Sequence, residues 1–230
     1  MEKYTYLAVN LGCIIIPFLF SFYKKRAFYK EWKYFFPANI SVAVIFLIWD
    51  EIFTQHGIWG FNSDYLIGIY LFSLPLEEIL FFVCIPYACT FTYFALVYLL
   101  NRSPFEKTQK YISIILCLSL FLISIFNIDK LYTSLTFSLT SLFLLLLIIR
   151  RINLSYIFST YLAIIPFFIM SNGVLTGSLL ENPIVWYNDD QNLGLRFITI
   201  PVEDFIYGLL LITSNILLYV FFKKKMKNLN

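Results

Sequence analysis

Charge is scarce in this chain. Only 13% of its 230 residues are Asp, Glu, Lys or Arg, clumped between long uncharged runs, while 60% are apolar and 20% aromatic. Such a composition excludes an ordinary soluble domain, which could not keep that much apolar surface from water. Histidine occurs once, as His56 beside Gly57, and a single imidazole without partners reads as a loop residue rather than part of a metal centre. The four cysteines (Cys13, Cys84, Cys89, Cys117) form no C-x-x-C pair and fall inside apolar runs, so they are packing residues, not ligands or disulfides. None of the eight glycines builds a G-x-G-x-x-G turn, which excludes an ordinary dinucleotide enzyme. There is no D-x-x-x-D pair for Mg²⁺-diphosphate, since Asp189 and Asp190 are adjacent and alone, and this argues against a prenyltransferase. The net charge of +3 lies in loops and implies no nucleic-acid partner.

Apolar runs fill the rest of the sequence. A membrane span needs about 20 mostly apolar residues to cross about 30 Å of hydrocarbon, where only a helix or a closed barrel satisfies its own backbone. Seven runs qualify: 4–22, 35–53, 76–100, 111–128, 131–149, 154–174 and 202–222. The first resembles a signal peptide only superficially, because Glu2 and Lys3 make a poor basic start and no A-x-A site precedes Ser21. With seven spans, one side receives Lys24, Lys25, Arg26, Lys30, Lys33, Arg102, Lys107, Lys110, Arg150, Arg151 and Lys223, Lys224, Lys225 and Lys227. The other side keeps Lys3, Lys130 and Arg196. Fourteen basic residues against three place the N-terminus outside and the C-terminus in the cytoplasm, in a multi-pass protein of the cell inner membrane. A retinal protein would share this topology, but run 202–222 has no lysine for a Schiff base.

Sliding the sequence against itself by 126 residues aligns Asn62, Gly68, Pro75 and Glu77 with Asn188, Gly194, Pro201 and Glu203, and Lys24 and Lys25 with Arg150 and Arg151. Each half reads N-x5-G-x6-P-[LV]-E-[ED], with Glu78 answered by Asp204 and Phe61 by Tyr187. The expected fold is therefore all-α and membrane-integral, with seven transmembrane helices in two parallel three-helix repeats, residues 1–107 and 130–230. A linker helix in 108–129 restores the direction that an odd number of spans would invert. The outer loop of each repeat carries a half-apolar piece too short to span, 65–74 and 193–200, suited to an interfacial or re-entrant position. Each piece runs into a proline expected at the first helical position, followed by carboxylates that the helix dipole favours. Taken singly, such a P-x-E-[ED] turn is only a good helix start.

Two copies say more. The second span ends in Asp50 and Glu51 at the same outer level, so six carboxylates (Asp50, Glu51, Glu77, Glu78, Glu203, Asp204) are expected near one side of the bundle. Only Arg196, Lys130 and Lys3 lie there to neutralise them. Ionisable groups at membrane depth turn toward a bundle interior or a cavity, where the neutral, proton-holding form of a carboxyl group is the cheaper one. Trp49, Trp59 and Trp186 are read as interfacial belt residues.

The tandem PLEE (Pro75 to Glu78) and PVEDFIYGLLLITSN (Pro201 to Asn215), each closing a three-helix unit, resemble the membrane lycopene cyclases that occur as two small subunits or as one fused chain. The resemblance covers nearly the whole chain, including the linker helix of the fused form. Asp204 opposite Glu78 and Asn215 opposite Cys89 depart from strict repetition, so the halves need not be catalytically equivalent. The resemblance implies cyclisation of the ψ ends of lycopene to β-ionone rings, by way of γ-carotene to β-carotene, without a cofactor or metal. It implies lycopene and other linear carotenoids as substrates and membrane lipid as surroundings, and it leaves room for a homo-oligomer or association with other carotenoid enzymes.

The chemistry asks for such residues. A proton adds to C2, the cation at C1 is attacked by C6 of the C5=C6 bond, and loss of a proton from C6 completes the ring, so the reaction needs an acid, a stabiliser for the cation and a base. Glu77 and Glu203 are the first candidates for acid or cation partner, with Glu78 and Asp204 beside them; neighbouring helix positions point about 100° apart, so one member of each pair is expected to face the substrate. Asp50, Glu51, Asn62, Asn188, Arg196 and Asn215 are candidate supporting residues. A small-solute transporter with the same 3+1+3 layout is the alternative, but it would line its path with polar groups at mid-membrane, where this chain has Leu, Ile and Phe.

Overall fold

A computed structural model describes residues 2–228; Met1, Leu229 and Asn230 lie outside the described residues. Seven helices carry the fold: α1 (Thr5–Phe20), α2 (Trp32–Gln55), α3 (Leu76–Leu99), α4 (Gln109–Phe126), α5 (Leu131–Ile149), α6 (Ser155–Leu175) and α7 (Val202–Lys227). All seven helical segments are long and apolar enough to cross a membrane, as befits a multi-pass membrane protein. They coincide with the seven runs to within a few residues, except that α7 continues beyond Phe222 to Lys227. Lys224, Lys225 and Lys227 fill its last turn, where the helix dipole favours cations.

Helix α3 is central, packing on α1, α2, α6 and α7, while α2 and α5 flank α7 and α4 lies on α5. Pro86 inside α3 has no N–H for the carbonyl of Phe82 four residues earlier. The Asn39 side chain on α2 supplies the missing donor at 2.9 Å and reaches the Asn215 side chain of α7 at 3.1 Å, tying three helices at one level.

The loops that lead into α3 and α7 carry short paired strands. Strand β1 (Trp59–Phe61) pairs antiparallel with β4 (Val185–Tyr187), Gly60 opposite Trp186. A Cβ at position 60 would press into the Trp186 ring, so any larger residue requires that ring to move. Between them and the helices, β2 (Tyr70–Leu71) folds back on β3 (Leu74–Pro75), and β5 (Arg196–Phe197) on β6 (Ile200–Pro201). These two hairpins are the form taken by the half-apolar segments 65–74 and 193–200. Their geometry recurs 126 residues apart: Gly68 and Gly194 take φ of 87° and 69°, and Phe72 and Ile198, at the hairpin tips, take 57° and 61°. The Asn62 and Asn188 side chains each accept the N–H two residues on, from Asp64 and Asp190, at 3.0 Å. Both asparagines thus shape the loops. Pro75 and Pro201 cap their helices from just outside, one position earlier than expected, which puts the two acidic residues at the second and third helical positions.

Candidate functional site

A cavity of about 620 Å³ opens beneath the β1–β4 ribbon, between α1, α3, α6 and α7. Three of the six carboxylates line it: Asp50, Glu78 and Asp204. The walls below them are apolar, with Ile85, Ile164, Leu211 and Ile212 among the side chains.

The neighbours of each acid differ. Glu78 accepts a hydrogen bond from the Tyr6 phenol, and the Asp50 carboxyl group is its close neighbour. Two buried carboxyl groups side by side repel each other when both are charged, which favours a proton on one of them. The Trp59 indole donates to Asp50 Oδ1 at 2.6 Å, while the buried Oδ2 of Asp50 has no hydrogen-bond partner. Across the cavity, Asp204 accepts from three donors: Tyr132 at 2.5 Å, Asn172 at 2.7 Å and Tyr187 at 2.9 Å. Three donors on two oxygens suit an acceptor-only carboxylate. Burial, and then the adjacent Asp204, push the Tyr187 phenol well above its ordinary range, so it remains a donor.

Glu77 and Glu203 are fully buried but turned away from the cavity. Each binds the N–H ten residues before it, Glu77 that of Ile67 at 2.7 Å and Glu203 that of Leu193 at 2.8 Å; Glu203 also accepts from the Thr133 hydroxyl at 2.5 Å. They clamp the preceding loops to the starts of α3 and α7. Glu51 holds the Ser73 N–H at 3.1 Å and the Gln55 amide at 2.7 Å, outside the cavity. Arg196 pairs with Asp189 at 2.6 Å and with none of the six acids. Burial raises Asp189, but hydrogen bonds from Asn192 and Arg196 and the guanidinium charge outweigh it and hold the acid below its usual range. Asn215 stays in the bundle with Asn39, away from the cavity lining.

Aromatic rings complete the acidic end. Trp59 meets Tyr132 at 5.1 Å, and Tyr207 meets Trp49 at 5.1 Å and Phe46 at 5.2 Å. The Tyr207 hydroxyl is buried without a partner and belongs to the cavity lining. Trp49 and Trp59 are therefore not belt residues: the ribbon folds Trp59 inward over the carboxylates, and Trp186 alone of the three stays well exposed. Sequence reasoning passed over Tyr6, Tyr132, Asn172 and Tyr207. A signal for the first two was present, since they stand 126 residues apart and bind the matched acids Glu78 and Asp204.

Comparison with known proteins gives a consistent picture. The sequence profile of the lycopene cyclase family matches residues 3–96 and again residues 129–222. A bifunctional lycopene cyclase/phytoene synthase of Pyrenophora tritici-repentis (strain Pt-1C-BFP) is 30% identical over 106 residues, which are 45% of this chain and 17% of that longer protein. The chain thus spans a small part of that relative's length. No solved structure matches.

Proposed function

Because the chain belongs to the lycopene cyclase family, we propose that it closes the ψ ends of lycopene into β-ionone rings, yielding γ-carotene and then β-carotene, by cofactor-free acid catalysis inside the membrane. One observation carries the mechanism: three carboxyl groups line one largely apolar cavity, two of them close neighbours and the third surrounded by donors. The Asp50–Glu78 pair holds the proton and delivers it to C2. The resulting C1 cation is attacked by the C5=C6 π electrons, forming the C1–C6 bond and moving the charge to C5. Asp204, kept as a carboxylate by Tyr132, Asn172 and Tyr187, faces that charge and accepts the proton leaving C6, which restores C5=C6. The rings of Trp59, Tyr132 and Tyr207 add about 0.5 to 2 kcal/mol each where a face meets the cation. One proton enters and one leaves, so no redox partner is needed. In this scheme Glu77 and Glu203 act on the loops, and Asn62, Asn188 and Arg196 support the same loops.

The proposal includes the architecture: two parallel three-helix repeats joined by α4, with the acidic end on the outer face and the N-terminus outside. A reporter placed between Glu181 and Asp190 is then external. Expression in cells that accumulate lycopene, with pigment analysis by HPLC, tests substrate, reaction and ring type together. Cyclic carotenes should replace lycopene; unchanged lycopene with the protein present in the membrane overturns the reading.

A further inference from the structure

The cavity is open sideways, and the residues at its opening are unusual for a helix surface. Four side-chain positions on α3, Phe81, Ile85, Ala88 and Thr92, line the cavity and are all part-exposed, although α3 is the central helix. Their spacing of 4, 3 and 4 puts them on one face. The outside reaches that face through the gap between α1 and α6. On its two edges stand residues that belong to the cavity lining and to the lipid-facing surface at once: Ile16 on α1 (62% exposed), and Phe167 and Met170 on α6 (69% and 70%). Cys13 of α1 sits beside Ser171 of α6 where the two helices meet.

Gly12, in the middle of α1, is the second observation. Glycine inside a helix is unfavourable relative to alanine because it loses more backbone freedom on folding. The usual reasons for it are absent: its φ is not positive, and an added Cβ would meet nothing within 4 Å, so no neighbour requires it. It is exposed and lines the cavity. What this position supplies is empty space at the edge of the gap.

We propose that the α1–α6 gap is the doorway through which a linear polyene reaches the carboxylates from the bilayer, and that the unreacted part of the chain lies across Gly12 while its end is held at the acids. This rests on the cyclase reading for the identity of the polyene, and it adds where the rest of the molecule goes. A cavity of about 620 Å³ is of the size that encloses a drug-sized ligand. A stretched C40 polyene is comparable in length to the hydrocarbon core, about 30 Å. Only one end fits inside at a time. The two ends are therefore processed in separate visits to one site, with a singly cyclised molecule leaving through the same gap in between.

The test fills the doorway without touching the acids. In the full chain, Gly12→Ala, Gly12→Leu and Gly12→Phe should keep membrane abundance and an equal or higher thermal midpoint, since each removes a helix glycine into open space. Cyclisation of lycopene should fall with side-chain size, by at least about tenfold for Leu, as a steric block in an apolar channel does. Ile15→Phe, on the lipid side of the same helix and outside the lining, should leave turnover unchanged. A second readout does not depend on turnover: in a Glu78→Gln background, the carotenoid that co-purifies per protein should drop severalfold when Gly12→Leu is added. If wild-type protein makes no cyclic product yet this retention depends on Gly12, the cyclase reading fails and the doorway stands for a polyene ligand. Full turnover and full retention in Gly12→Leu would show the gap to be filled by lipid only and overturn the proposal.

Discussion

Glu78 and Asp204 occupy matching places in two motifs, at the third position of α3 and of α7, yet their surroundings have been built in opposite directions. Each keeps one phenol at the same offset, Tyr6 for Glu78 and Tyr132 for Asp204. The other two donors to Asp204, Asn172 and Tyr187, correspond 126 residues earlier to Phe46 and Phe61, which cannot donate. In their stead Glu78 has Asp50, whose counterpart is Thr176, a residue occupied with the Asn172 carbonyl at 2.9 Å. The lesson is that the role of a carboxyl group in a buried site is written in its ring of partners. A shell of donors calls for a charge; a second carboxyl calls for a proton. In the proposed mechanism, three differing neighbours make one of two similarly placed acids the proton donor and the other the charged acceptor.

The largest effect should come from removing either acid. Glu78→Gln and Asp204→Asn should each lower cyclisation by about 10² to 10⁴ at normal protein levels, the usual worth of a positioned acid or base. Glu77→Gln and Glu203→Gln keep an oxygen for the Ile67 and Leu193 N–H groups and should retain most product, whereas Glu77→Ala orphans a buried donor and should cost about 1 to 3 kcal/mol of stability. Collapse of activity in Glu77→Gln with full accumulation would move catalysis to the first member of each motif. Next in size are exchanges that make one half resemble the other. Tyr187→Phe strips Asp204 of a hydrogen bond to charge worth about 1.5 to 3 kcal/mol, so a loss of roughly ten- to hundredfold is expected in the pigment assay. Phe61→Tyr offers Glu78 a second donor and should also slow the reaction, this time by making its proton harder to release. Tyr207→Phe copies Phe81, its counterpart, and removes a hydroxyl that has no partner. Turnover within about threefold of wild type, with equal or greater thermal stability, is the expected result. A much larger loss would show that the hydroxyl itself handles the proton. Smallest of all, Arg196→Gln breaks an exposed pair with Asp189 and should change stability by no more than about 1 kcal/mol and leave product ratios alone.

The helices were legible in the sequence because apolar length alone specifies a span, and the acidic motifs were legible because they recur. What stayed hidden depends on register across long separations. Whether Glu77 or Glu78 faces the cavity is set by one 100° step around α3, which no periodicity in so uniformly apolar a helix reports. Trp59 looked like a belt residue since it follows the end of a span, but pairing with Tyr187, far along the chain, turns it over the carboxylates. Asn172 carried no motif at all, and its value comes from standing opposite Asp204 across two helices. Asn62 and Asn188 were found by repetition while their work, shaping loops, was not. Arg196, selected as the counter-charge for the acids, is drawn instead to Asp189 within its own loop.

The β1–β4 ribbon has a further consequence for how the protein is made. Its strands pair Trp59 with Tyr187, and the flanking bonds run from Asn62 to Ile184 at 2.8 Å and from Asn188 to Ile58 at 2.9 Å. None of these can form until the later partner has been synthesised, when three more helices have followed the first three. The first half therefore waits, with its acidic end uncovered, until α4, α5 and α6 have been made. Contacts of such long range form late and slowly. The roof of the site is thus among the last pieces set in place, and a chain interrupted before residue 184 would carry Glu78 and Asp50 to the membrane surface without ever enclosing them.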